Sequence, residues 1–129
     1  MKHLIVLAMA GTALCTGAVL STNTGRVAEP LALHANNAGE LAELCSPNPR
    51  EPGADARMNF CDGFAQGALE VQLHYAGQNK PFCFPKPMPT RRSTMRDFAA
   101  WVRADSSRSG MAAPPALFRF LAERFPCKS

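Results

Sequence analysis

Histidine, tyrosine and tryptophan are scarce in this chain, at three, one and one copies, and His74 is the one histidine clear of the N-terminal leader region. A cysteine hydrolase needs a free thiolate beside a histidine, so that scarcity weighs against one. No GxSxG or SxxK surrounds Ser93, Ser106, Ser107 or Ser109. A serine hydrolase therefore has no local support, and these serines read as cap and turn residues. The chain also lacks a CxxCH for haem and a glycine-rich phosphate loop. Asp62 and Glu70 lie two turns apart on one predicted helix and are a formal acid/base pair, but carboxylates on an exposed helical face ordinarily serve solubility. His74, near the end of the same helix, suits the helix dipole. By exclusion, the residues point to a binding module without catalytic groups, cofactor or metal.

What is present begins with a leader. Lys2 and His3 open onto LIVLAMAGTALCTGAVL, a basic start followed by an apolar run with small residues behind it, the pattern of a secretory signal peptide. At about 17 apolar or small residues, the run is marginal for spanning a bilayer, which needs about 20. Cleavage after Ala18 is expected, with sites as late as Ala35 also compatible, so residues 1–18 read as signal, 19–36 as a leader without apolar periodicity and 37–129 as the domain. Cys15 is preceded by TAL, a poor match to a lipoprotein acylation site. The product expected is an exported, soluble protein with no stable membrane insertion. The formal net charge is +4, and the basic residues from Arg50 through Arg124 are spread out and interrupted by acids. That distribution does not make a nucleic-acid footprint.

Four cysteines remain after cleavage: Cys45, Cys61, Cys83 and Cys127. An even number in a small exported domain reads as two disulfides, because the compartment is oxidising and a small core gains from cross-links. Zinc ligands usually come in close pairs such as CxxC, and these four are far apart. Three connectivities are open. Cys45 with Cys61 and Cys83 with Cys127 is preferred, because each pair ties the ends of consecutive segments, at roughly 3 and roughly 4 kcal/mol in the loop-entropy model.

Along the domain, AGELAELC forms a first helix capped by Asn36 or Asn37, with Leu41 and Leu44 inward. SPNPREPG stops it. A second helix runs from about Ala56 to Tyr75 with Asp55 as cap, an apolar stripe of Cys61, Phe64, Ala68, Val71 and Tyr75, and Gly77 at its end. Within it Gly63 and Gly67, one turn apart, would leave a shallow helix-packing groove, serving either the chain's own core or a dimer contact. KPFCFPKPMP follows as a stiff, extended connector. Thr90 or Ser93 caps a third helix whose inward positions are Met95, Phe98, Ala99 and Val102, with Trp101 at the edge of the core. ADSSRSG reads as the most flexible loop, lacking any apolar residue larger than alanine. Pro114 or Pro115 opens a fourth helix with Leu117, Leu121 and Phe125 inward, and Cys127 locks the terminus. No stretch alternates long enough for a strand, so the fold class is all-α, a small four-helix domain stapled by two disulfides.

The succession of FCDGF at 60–64, PFCFP at 81–85, FAAWV at 98–102 and RFPC at 124–127 resembles the Tai family of type VI secretion amidase immunity proteins. The resemblance covers about residues 40–127. It departs after the third helix, where RADSSRSG replaces a short segment ending in His-Pro, and the connector is unusually basic. The resemblance implies a helical, disulfide-bonded periplasmic protein, often a homodimer, that binds a secreted peptidoglycan amidase effector and blocks its cleft. Lys86, Arg91 and Arg92 on the connector and the start of the third helix are the expected partner contacts, with Asp105 and Arg108 in the following loop. A periplasmic helical chaperone, or another non-enzymatic binding protein, is the alternative.

Overall fold

The computed structural model describes residue 31 and residues 33–128, so the expected signal peptide and most of the leader lie outside the described residues. Five helices and no named strand make up the described chain: α1 (Ala38–Leu44), α2 (Ala54–Ala76), α3 (Arg91–Arg103), α4 (Ser106–Ser109) and α5 (Ala113–Arg124). The all-α fold with two disulfides is as expected, with one short helix added.

α1 lies against each of the other four helices. Asn37 caps it, accepting from the Glu40 amide at 2.9 Å, and the Glu40 carboxylate reaches back to accept from the Asn36 amide at 2.8 Å. This reciprocal box satisfies donors that a helix start otherwise leaves open. The Asn36 bond, first among several, holds the Glu40 carboxyl below its ordinary range. Ala38, Leu41 and Cys45 have no exposed surface, and Ala42 has almost none. An isolated antiparallel bridge between Asn37 and Ala112 fastens this start to the start of α5, through Ala38 N–H to the Met111 carbonyl at 2.8 Å and Ala113 N–H to the Asn36 carbonyl at 3.1 Å. A seven-residue helix is too short to stand alone, and burial on several sides is what sustains it.

Around α1 pack α3 and α5. Met95, Phe98, Ala99 and Val102 are all buried, as their i, i+3, i+4, i+7 spacing predicts, and Ala116, Leu117, Phe120 and Leu121 face them from α5. Phe98 and Phe120 meet edge to face, with ring centroids 5.7 Å apart. Pro114 and Pro115 occupy the first turn of α5, where a missing amide hydrogen costs nothing.

Two helix starts differ from the sequence reading. α2 begins two residues early, because Gly53 takes a left-handed φ of 80° that turns the loop straight into the helix; Asp55 then sits in the first turn, favourable to the dipole, instead of capping. ADSSRSG, read as loose, winds one helical turn as α4. Polar groups hold it where apolar ones are missing: Asp105 accepts from the Ser107 amide at 3.0 Å and hydroxyl at 2.7 Å, and Arg108 donates to the Trp101 carbonyl at 2.6 Å.

The disulfides are Cys45–Cys61, joining the end of α1 to α2, and Cys83–Cys127, joining the connector to the C-terminal segment. Phe82 plugs the connector into the core at 2% exposure, Phe84 leans on Phe125 with centroids 5.1 Å apart, and the Cys83 amide donates to the Phe125 carbonyl at 2.8 Å.

Candidate functional site

The expected contact residues fall into two groups at opposite ends of α3. Lys86, Arg91 and Arg92 lie on the connector and first turn of that helix, whereas Asp105 and Arg108 lie at α4 beyond its last turn. Thirteen residues at about 1.5 Å each separate the groups by about 20 Å, so they do not form one cluster.

The α4 group is spent inside the chain. Asp105 is the α4 cap, and the Ser107 hydroxyl and amide hold its carboxyl below the ordinary aspartate range. The Arg108 guanidinium lies over the Trp101 ring at 4.1 Å, donates to the Trp101 carbonyl and pairs with Asp105 at 3.6 Å. Trp101 is further fixed by its indole N–H, which donates to Glu123 at 2.8 Å, while Arg119 donates to the other Glu123 oxygen at 2.9 Å. Those two bonds, Arg119 first, lower the Glu123 carboxyl. Arg108 thus acts as a clamp on Trp101 and α4, a role its place in a polar loop did not signal; the preceding tryptophan seven residues back was the available hint.

The connector group is more open. Arg92 pairs with Asp62 of α2 at 3.4 Å, but Lys86 and Arg91 are exposed and make no ion pair among the described residues. Between them Met88 stands 69% exposed, a large apolar side chain flanked by two cations. Beneath Met88 and Arg91 opens a cleft of about 270 Å³ walled by α2, the connector, α3 and α5. Its floor is apolar, with Ala65, Leu69, Met95, Leu117 and Leu121. Thr94, the one buried polar residue lining it, has its hydroxyl bonded to the Thr90 carbonyl at 3.0 Å. An apolar floor with Arg91 at its rim suits a partner's side chain beside a carboxylate. Met88 and the cleft escaped the sequence reading, because prolines concealed which connector side chains point outward.

The outer face of α2 also departs from expectation. Val71 and Tyr75, assigned to the core stripe, are 58% and 84% exposed, since only Cys61 and Ala65 of this long helix are buried. Gly63 and Gly67 take no part in packing within the chain: a Cβ at either would meet nothing within 4 Å. The packing groove expected there is therefore not filled by the chain itself, and the small residues lie on the face turned away from Cys61 and Ala65.

Among the described residues no group of three or more histidine, cysteine or acidic side chains is placed to hold a metal ion, and no helix is long and apolar enough to cross a membrane. Comparison with curated proteins and with solved structures gives no match. Comparison with protein-family models matches residues 37–127 to the Rap1a immunity proteins, a span that takes in every helix and both disulfides. The chain belongs to the Rap1a immunity protein family, a type VI secretion immunity family.

Proposed function

We propose that this protein acts in the periplasm as a Tai-type immunity protein, binding a secreted peptidoglycan amidase effector and covering its active-site cleft. The exposed, doubly anchored connector is the observation that supports the reading. It is a segment already held in shape by Phe82, the Phe125 carbonyl and Cys127, and it presents Lys86, Met88 and Arg91 outward. A rigid segment loses less freedom on binding than a mobile one, so more of its contact energy appears as affinity. No residue of the immunity protein does chemistry in this mechanism. Inhibition comes from shape and from a few polar contacts at the rim.

The homodimer that belongs to this reading uses the outer face of α2. Gly63 and Gly67 flank Ala65, the middle residue of Ala54–Ala76, so a two-fold axis there brings each glycine against the other across the pair. The missing side chains allow a close approach, and Val71, 58% exposed, lies along the same side with Phe60.

Co-expression tests the function. An amidase effector directed to the periplasm should lyse cells, and this chain with its own leader should restore growth. Protection by a leaderless version, or lysis despite abundant exported protein, would contradict the proposal.

A further inference from the structure

The two disulfides sit in opposite environments. Cys45 and Cys61 have no exposed surface and belong to the buried core, whereas Cys83 and Cys127 are both exposed. A thiolate can reach the outer pair directly, but reaches the inner pair only when the core opens. Cys83 also lines an open depression with Lys86, Arg124 and Lys128, three cations set against the single carboxylate of Asp97. Positive surroundings stabilise a departing thiolate and so speed the exchange that releases it. At the other sulfur the Lys80 carbonyl oxygen lies 3.6 Å from Cys127 Sγ and disfavours negative charge there.

We propose that Cys83–Cys127 is a thiol–disulfide exchange site for an extracytoplasmic dithiol reductant, attacked at Cys127 and opened while Cys45–Cys61 stays closed. The reductant's thiolate bonds to Cys127 Sγ, the S–S bond breaks, and its electron pair leaves on Cys83 Sγ. The reductant's second thiol, once deprotonated, then attacks the mixed disulfide and releases Cys127. The reductant is oxidised to a disulfide, the protein gains two electrons, and the two protons given up by the dithiol end on Cys83 and Cys127. No helix depends on this bond for its own hydrogen bonds. Its opening removes the covalent tie between the connector and the C-terminal segment and leaves only Phe82, the Phe84–Phe125 packing and the Cys83 amide bond to hold it, so the surface carrying Lys86, Met88 and Arg91 becomes redox-sensitive.

The experiment uses the oxidised, exported chain. It is exposed to graded dithiothreitol, quenched by alkylation and mapped by peptide mass spectrometry, with far-UV circular dichroism in parallel. Cys83–Cys127 should open at least about tenfold faster than Cys45–Cys61, with the helical signal retained. Reduced glutathione, a monothiol without a second thiol to resolve the mixed disulfide intramolecularly, should leave its first trapped adduct on Cys127. Amide exchange at Cys83 should rise on reduction, because its bond to the Phe125 carbonyl is no longer held by the cross-link. Simultaneous opening of both bonds, earlier opening of Cys45–Cys61, or an adduct mainly on Cys83 would overturn the proposal. Loss of helical signal with the first bond would do the same. The Cys83→Ser, Cys127→Ser double variant supplies a second measurement: it should fold with Cys45–Cys61 intact and show only the slow phase.

Discussion

Trp101 is the chain's one tryptophan, and its indole is held by Arg108 on one face, Glu123 at its N–H, and Phe98 and Phe120 beneath. Tryptophan emission therefore reports on a single site. The Glu123 carboxyl is lowered in the folded state, so its contribution is present in full above the unfolded-state pKa and is lost as pH falls through the lower folded-state value. Emission should change with a midpoint below the ordinary glutamate value of about 4.3, while far-UV circular dichroism stays constant. In Glu123→Gln that transition should vanish. Its persistence in the variant would assign the emission change to another group. Arg119 and Glu123 are both exposed, so this titration concerns local geometry much more than global stability.

At the scale of elements, what was legible in the sequence depended on how each helix is buried. α3 and α5 each bury one stripe, so their inward residues follow directly from a period of 3.6, although Phe120 was missed beside Leu117 and Leu121. α2 misled because its apolar residues lie on two faces, and periodicity does not say which face meets the core. Val71 and Tyr75 follow Phe64 and Ala68 on the wheel, yet beyond Ala68 the helix meets the core through Leu69 and Leu73 and leaves those two exposed. α4 was invisible for a different reason: its anchors are hydrogen bonds accepted by Asp105 and donated by Arg108, which leave no hydrophobic signal. Of the candidate site, the basic connector was legible from composition, whereas the cleft below it required knowing how α2, α3 and α5 converge.

The open space at Gly63 and Gly67 yields a prediction at this scale. Gly67→Ala removes backbone entropy from the unfolded chain and meets no neighbour, so the dilute monomer should gain roughly 0.5–1 kcal/mol in urea unfolding. Gly67→Trp should leave the dilute monomer folded but lower its self-association in sedimentation. Unfolding of the monomer by either variant would mean that a neighbour packs on this face within the chain.

For the whole molecule, a small set of ties converts five helices into a shaped surface. Cys45–Cys61 fixes α2 on α1, the Asn37–Ala112 bridge fixes α1 on α5, and Cys83–Cys127 with Phe82 fixes the connector on that body. An apolar cleft opens beneath the connector with Arg91 at its rim, and at the α4 end Asp105 and Arg108 pair with each other. Titration of the purified exported chain into a type VI secretion peptidoglycan amidase, with stem-peptide cleavage followed in muropeptides, tests occlusion most directly. Cleavage should fall to zero near one chain per enzyme. Lys86→Glu with Arg91→Glu should weaken inhibition by at least about tenfold, the size expected when central contacts of about 1.4 kcal/mol or more are lost, while Asp105→Asn leaves it unchanged. Undiminished cleavage at saturating chain, or inhibition indifferent to Lys86 and Arg91 and abolished by Asp105→Asn, would contradict a connector-centred blockade.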